Sequence, residues 1–150
     1  MSTSFQLQNN ALKELPHNIE AEQGILGAIL LNNEIFFDIS ETINVEHFYE
    51  PVHKLIFDVI GKMISKGQIA TPITLKSFFE VEKNLEEIGG SNYLVRLANS
   101  AVSLDYAKNY AHIIYNLAVR RGLYELGGKV QHDAIESEIE KKTRRSYRGS

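Results

Sequence analysis

Apolar residues recur at three- and four-residue spacing along most of the chain, a pattern that is typical of amphipathic helices. The clearest segment begins at Pro51, which suits the first position of a helix because no backbone donor is needed there. Its apolar positions follow the i, i+3, i+4, i+7, i+8, i+11 template: Val52, Leu55, Ile56, Val59, Ile60 and Met63. Gly67 can adopt the left-handed conformation that ends a helix. The pattern therefore predicts a helix from Pro51 to just before Gly67.

A second well-marked boundary lies at Pro16, after which the chain again has a helical pattern. Asn18 is placed to cap the free amides at positions 20 and 21. Glu20 and Glu22 complement the positive end of the helix. The sequence therefore predicts that a helix starts just after Pro16.

Small residues recur along this first helix. Ala21, Gly24 and Ala28 follow one another at three- and four-residue spacing, and Gly27 adjoins them. A glycine inside a helix costs about 1 kcal/mol relative to alanine, so two of them suggest that another backbone crosses at close range. The interpretation we favour is tight core packing.

Shorter helices are predicted around these two. Asn33 can cap one of them, either Thr71 or Thr74 can cap another, and a further one follows Gly89-Gly90. Their apolar positions are Ile35, Phe36, Ile39 and Ile43; Leu75, Phe78, Phe79 and Val81; and Tyr93, Leu94, Leu97 and Ala98. In the connector 44–49, Phe48 and Tyr49 are predicted to fill the core.

A long last helix is predicted from Ser103 to about Glu136, and it changes phase partway. Its two apolar sets are Tyr106, Tyr110, Ile113 and Leu117, and then Val119, Leu123, Leu126 and Val130. The second set begins about 200° around the helix from the first, so one face cannot hold both. We expect the first half to pack on the preceding helices and the second half to need another partner, either a following antiparallel helix or another chain.

No stretch alternates apolar and polar residues as a strand does, so the predicted fold is all-α. It has a compact helical head of about five helices, followed by the long helix. The predicted organisation is a flexible leader over 1–14, the head over 15–101, the long helix over 102–137, and a polar basic tail or linker over 138–150.

Composition narrows the function further. The 150 residues include no cysteine, which excludes disulfides and thiolate metal sites. Eight acids and no Lys or Arg lie between Glu14 and Glu50, whereas 141–148 carries five bases and no acid. An acidic head is poorly suited to gripping phosphates. With no apolar run of about 20 residues and no signal-peptide layout, we expect a soluble cytoplasmic protein without a membrane partner.

The search for catalytic chemistry is mostly negative. Gly89-Gly90 and Gly127-Gly128 lack the order of a phosphate-binding loop, and His47 and His53 lack the spacing of a zinc pair. His53 is interpreted as a residue on the flank of its helix, and Glu86-Glu87 as a solvated turn. We predict no catalytic, cofactor-binding or metal-binding residue in this chain, and hence neither ATP hydrolysis nor DNA unwinding by the chain alone.

Five segments together resemble a known family. They are 16–27 (Pro-His-Asn-Ile-Glu-Ala-Glu-Gln-Gly-Ile-Leu-Gly), His47-Phe-Tyr with His53 and Ile56-Phe57, Ile73-Thr-Leu75, 85–94 (Leu-Glu-Glu-Ile-Gly-Gly-Ser-Asn-Tyr-Leu), and Tyr110-Ala-His-Ile-Ile114. In order and spacing, from about Leu15 to Ala134, they resemble the N-terminal domain of the bacterial DnaB-type replicative DNA helicase. The chain departs from the family at Ile69-Ala-Thr71, where a proline, a hydrophobic residue and an aspartate are common.

The resemblance implies the collar of a hexameric ring helicase in bacteria. ATP and magnesium would bind in a separate C-terminal domain, and DNA would be bound by the full-length hexamer. The N-terminal domains would pair through a helical hairpin into a trimer of dimers, with the long helix as the first arm of that hairpin. They would dock the C-terminal domain of primase, and a helicase loader is a further possible partner.

The residues predicted to lie at protein interfaces are Tyr93, Arg120, Arg121, Leu123, Tyr124, Leu126 and Val130. The apolar stripe on the long helix would mediate self-association. Tyr124, interpreted as lying on the flank of that stripe, would help to anchor primase together with Tyr93 and Val130. For Tyr93, a core residue whose hydroxyl reaches the surface is an equal alternative. An alternative function is nucleic-acid binding through Arg120, Arg121, Lys129 and the basic tail.

Overall fold

A computed structural model describes residues 14–80, 86 and 90–136 of the chain. Over these residues the fold is all-α, as predicted, with six α-helices and one short 3₁₀ turn at Val45–His47. The helices are α1 (Ile19–Leu31), α2 (Ile35–Ser40), α3 (Pro51–Ser65), α4 (Pro72–Phe79), α5 (Ser91–Asn99) and α6 (Leu104–Ile135). The predictions for the leader, for Val81, for Glu87, for Gly89 and for the basic tail lie outside the described residues. None of these helices is long and apolar enough to cross a membrane.

Helix α1 lies at the centre of the head, and its cap is the predicted one. The side chain of Asn18 accepts a hydrogen bond from the backbone N–H of Ala21, at 2.9 Å. Nearly every residue from Ala21 to Leu30 is buried. Glu22 is among them, and it lies in the first turn of the helix together with Glu20, as predicted.

The close backbone crossing expected at the glycines of α1 is present. A Cβ added at Gly27 would lie 1.9 Å from the carbonyl oxygen of Leu97 in α5. A Cβ at Gly24 would lie 3.1 Å from the side chain of Val102 and 3.3 Å from the ring of Tyr110. The small residues of α1 therefore allow α5 and the segment after it to approach its backbone.

Helix α3 begins at Pro51, and Gly67 after it has the predicted left-handed conformation, with φ +75°. Its apolar face packs into the core, and Phe57 belongs to it although the simple template omits that residue. Phe48 packs against Phe57 with ring centroids 5.0 Å apart, which confirms its predicted place in the core. Tyr49 is half-buried instead, with its ring stacked on His17.

Helix α4 is capped by Thr71, and Thr74 completes the capping box by bonding back to the Thr71 amide. Thr71 therefore supplies the helix cap at this turn, a role that an aspartate could also fill. Asn33 pins the preceding loop, because its side chain bonds both the N–H and the carbonyl of Ala70 at 2.8 Å. Leu75 and Phe79 are buried, whereas Phe78 is half exposed.

The first half of α6 faces the head partly through residues other than those predicted, although Tyr110 packs against the core as expected. Ala107, Ala111 and Ile114 are buried, whereas Tyr106 is 61% exposed and Ile113 is also exposed. For Tyr106 and Ile113 the prediction was one position off, because both sets have 4-3 spacing and small alanines permit the closer approach of the helix.

The chain divides into two compact units, Met1–Ala118 and Val119–Ser150. The first unit contains the head and the first half of α6, and the second contains the rest of that helix. The predicted boundaries at 101/102 and 137/138 remain predictions.

Candidate functional site

An apolar stripe is exposed on the second half of α6. Val119, Leu123, Leu126 and Val130 are 43 to 62% exposed, although all four are aliphatic. At 100° per residue they fall within a sector of about 60°, so they form one continuous line along the helix. Such a contiguous exposed line, unlike scattered single residues, is typical of a contact surface.

Tyr124 lies on a different side of α6 from this stripe. Helical geometry places its side chain about 130° around from the centre of the stripe, so the expectation that it lies on the flank is wrong. Tyr124 is 60% exposed and Ile135, close to the same line, is still more exposed. Arg120 is an exposed cation next to this line. The second half of α6 therefore presents two separate faces with apolar side chains.

Three glycines lie in this half of the helix, and no contact among the described residues requires any of them to be small. For Gly122, Gly127 and Gly128, a Cβ would meet no atom within 4 Å outside the local helix. Gly122 and Gly127 lie on either side of the stripe, and Gly128 lies on the face of Tyr124. Because helical glycines are costly, their presence fits the close approach of a second helix at these positions.

The two arginines predicted at the interface differ in exposure. Arg120 is exposed, whereas Arg121 is only 9% exposed. Of the two, Arg120 is the accessible cation for a partner. The interface role of Arg121 stays a prediction.

Tyr93 lies in the core, where it ends a chain of hydrogen bonds through His53 to Glu22. The three side chains come from α5, α3 and α1, and each is nearly or fully buried. His53 Nδ1 lies 2.8 Å from Glu22 Oε1, and its Nε2 is hydrogen-bonded to the Tyr93 hydroxyl. The histidine and tyrosine rings are nearly parallel, at 7°.

The donors and acceptors of this network follow from Glu22. Its carboxylate also accepts from the backbone N–H groups of Tyr49, at 2.9 Å, and Glu50, at 3.3 Å. Since a carboxylate only accepts, His53 Nδ1 donates to it, and in the neutral ring Nε2 then accepts from the Tyr93 hydroxyl. Gln23 Nε2 donates to that hydroxyl at 3.3 Å. Burial raises the pKa of Tyr93, which keeps the phenol protonated, while the Gln23 hydrogen bond opposes the shift.

This network is structural in character. Its order of carboxylate, imidazole and hydroxyl resembles a catalytic relay, but all three groups lie inside the head, where they join α1, α3 and α5. The interpretation of His53 as a flank residue is wrong, because it lies on the buried face of α3 with Ile56, Phe57 and Ile60. Its place in that periodic set was the signal in the sequence. Tyr93 bonds inside the head rather than reaching solvent, and its interface role stays a prediction.

Solved structures with similar folds include the N-terminal domain of DnaB helicase from Mycobacterium tuberculosis. That chain has 28% identity and a TM-score of 0.76, over 91% of this chain and all of that one. A DnaB-like replicative helicase, whose structure describes its interactions with primase, has 25% identity and a TM-score of 0.64. The match covers 87% of this chain and 31% of that one.

Similar curated proteins are replicative DNA helicases DnaB. The protein from Rickettsia felis is 44% identical over 126 residues, which are 84% of this chain and 26% of the relative. The protein from Buchnera aphidicola is 35% identical over 123 residues, which are 82% of this chain and 27% of the relative. The chain thus spans about a quarter of the length of these relatives. Since the model of the DnaB-like helicase N-terminal domain matches residues 14–116, the chain belongs to that family.

Proposed function

We propose that this chain is the N-terminal collar domain of a hexameric replicative DNA helicase, where it joins copies of the helicase and docks primase. The observation that carries the proposal is the exposed aliphatic stripe on the second half of α6, in a chain whose family is established. The chain itself contributes binding surfaces rather than catalysis.

Self-association would use the stripe of Val119, Leu123, Leu126 and Val130. Burying apolar surface stabilises a complex by roughly 25 cal/mol per Å², so a helix laid along the whole stripe gains a substantial contribution. Gly122 and Gly127 beside the stripe let the backbone of such a helix come close. The partner helix belongs to another copy or to a second arm of the hairpin, and in the full ring the pairs form a trimer of dimers.

Primase docking would use the other face of the same helix. Tyr124 is a large, exposed amphipathic ring with Arg120 beside it, and these residue types anchor protein interfaces. Because this face points away from the stripe, both contacts can form at once. The similar DnaB-like helicase with known primase interactions supports the choice of primase as the partner. We propose the C-terminal domain of primase as the part that docks.

The wider functions belong to the whole helicase. ATP and magnesium would bind in its C-terminal domain, the hexamer would bind DNA, and a loader would place it there. We propose these for the parent protein from its relatives, which are about four times as long as the matched region.

Nucleic-acid binding by this chain is the weaker candidate. On the second half of α6, Arg121 is nearly buried, and the exposed Arg120 and Lys129 alternate with Glu125 and Asp133, so no exposed cluster of cations forms there. Phosphate binding needs such a cluster and weakens steeply with salt. The mixed charges favour a protein partner.

The test combines sedimentation with a primase titration. Leu123→Glu with Leu126→Glu should give a folded chain that no longer associates through α6, and wild type that stays monomeric at high concentration would contradict the stripe as an interface. Tyr124→Ala should weaken binding of the primase C-terminal domain by about 1 to 3 kcal/mol without a loss of melting temperature. Tyr106→Ala is the matched control, because that tyrosine is equally exposed on the same helix but lies in the first unit. Unchanged affinity in Tyr124→Ala would rule out the docking role.

A further inference from the structure

The buried network around His53 is complete when the imidazole ring is neutral. His53 Nδ1 donates to Glu22, and Nε2 accepts from the hydroxyl of Tyr93. Gln23 Nε2 donates to the oxygen of the same hydroxyl, at 3.3 Å. Among the residues that the structure describes, every buried side-chain nitrogen or oxygen has a hydrogen-bond partner. In this first proton state each group of the network is therefore satisfied.

A second proton on the ring of His53 would reverse one of these hydrogen bonds. An imidazolium donates through both nitrogens, so Nε2 would donate to the oxygen of Tyr93 instead of accepting from its hydroxyl. Burial raises the pKa of Tyr93, so the phenol keeps its own hydrogen in this state. That hydrogen then needs a new acceptor. The protonated network is complete only if a neighbouring side chain provides one.

Gln23 can provide this acceptor without any movement of the backbone. Its amide carries an oxygen and a nitrogen of similar size, and a half-turn of the amide exchanges their positions. The oxygen Oε1 would then lie beside the Tyr93 hydroxyl and accept its hydrogen. Gln23 is half-buried on α1, directly after Glu22, so one end of its amide contacts the network at the edge of the core. A residue with only a donor, or with neither group, could not serve both states.

The charges around His53 are compatible with both states. Glu22 is in direct contact and is nearly fully buried, and its carboxylate stabilises a positive ring, whereas burial of the ring itself opposes the charge. Two further charged groups influence the adjoining phenol of Tyr93. Glu50 adds to the rise that burial causes in its pKa, and Arg96, whose guanidinium lies 5.5 Å from the ring centroid, opposes it.

We propose that the head takes up a proton at His53 Nε2 as the pH falls, and that Gln23 turns its side-chain amide to keep the network complete. The proton comes from water, and no other covalent bond breaks. The end of the Gln23 amide that faces away from Tyr93 thereby changes from an acceptor to a donor. A change of charge inside the head is thus passed to a half-buried group at the edge of α1.

Nuclear magnetic resonance of the ¹⁵N-labelled chain tests the proton uptake directly. The ring nitrogens of His53 should change from one protonated nitrogen to two between about pH 8 and about pH 5, while circular dichroism shows that the chain stays folded. The side-chain amide signals of Gln23 should move with the same midpoint. His112, which is exposed on α6, is the reference histidine in the same sample. A His53 ring that stays neutral until the chain unfolds, or Gln23 signals that do not follow it, overturns the proposal.

Two substitutions at Gln23 should move the uptake in opposite directions. Gln23→Met keeps the size and charge but removes the acceptor, so the midpoint of His53 should fall by about one pH unit, as expected for one lost hydrogen bond. Gln23→Glu provides only acceptors beside the hydroxyl, so the midpoint should rise. Gln131→Met is the matched control, because that glutamine is exposed on α6 and should leave the midpoint unchanged. Equal midpoints in wild type and Gln23→Met, or a shift of both Gln23 variants in the same direction, would show that Gln23 is not the adapter.

Discussion

The two units of this chain use glycine in opposite settings. In the head, Gly27 is enclosed, and a Cβ there would collide with the backbone of α5. On the second half of α6, Gly122, Gly127 and Gly128 stand in open space. The head thus satisfies its close packing internally, whereas the described part of the second unit combines small residues with exposed aliphatic side chains. The difference separates a core that packs internally from an exposed surface of the kind that the proposed contacts would bury.

The largest expected effect comes from filling the enclosed site. Gly27→Ala should destabilise the chain by about 3 kcal/mol or more, because the new methyl group would meet a backbone carbonyl that cannot move aside without shifting α5. Chemical denaturation with circular dichroism measures the loss. A change below about 0.5 kcal/mol, the range of ordinary surface substitutions, would mean that the crossing of α1 and α5 is looser than described.

Removing the imidazole of His53 should cost about 2 to 3 kcal/mol. The variant His53→Ala leaves the buried Glu22 carboxylate with only its two backbone donors and also opens a cavity. Thermal and urea unfolding measure the effect. His112→Ala is the matched control, because that histidine is exposed on α6 and its loss should change stability little. Equal stability of the two variants would contradict the structural role of the network.

Local features of the head followed from the sequence, but the partners of its polar groups did not. Asn18, Pro51 and Gly67 act within a few residues of themselves, so their spacing was sufficient to predict them, whereas spacing left Thr71 and Thr74 as alternative caps. His53 meets Glu22 from 31 residues away and Tyr93 from 40 residues away. Only the packing of three helices brings these groups together, and no local pattern encodes it.

The long helix illustrates a second limit of periodic patterns. Two sets of residues have helical spacing here, one with Tyr106 and Ile113 and the other with Ala107 and Ala111. The first set was predicted to be buried because its side chains are larger and more apolar. The structure buries the alanines because the surface facing them is close, which depends on the shape of the neighbour. The exposed stripe at Leu123 and Leu126 was predictable from its phase alone, but the phase of a helix does not specify what would cover the stripe.

Removing one hydroxyl gives a smaller effect within the same network. Tyr93→Phe should cost about 1 to 2 kcal/mol, because His53 Nε2 loses its donor in a buried site. A pH series sharpens the comparison. The raised pKa of Tyr93 means that the unfolded chain releases its phenolic proton first as the pH rises. Stability should therefore fall above about pH 10 in wild type, and less so in the variant. Parallel pH profiles of the two proteins would contradict the assignment.

The smallest change is expected where glycine stands open. Gly128→Ala in α6 should stabilise the chain by about 0.5 to 1 kcal/mol, because alanine favours the helix and the new methyl group meets no atom. Replacing glycine by alanine should thus lower the free energy of unfolding at Gly27 and raise it at Gly128, which tests the contrast between the two units directly. If the face with Tyr124 receives a closely packed partner helix, Gly128→Ala should also weaken binding of the primase C-terminal domain. Gly67→Ala is the control for backbone effects, because at φ +75° the new side chain is strained although the space is open, and the chain should lose stability. A stabilised Gly128→Ala chain with full primase affinity would place the docking surface elsewhere on the helix.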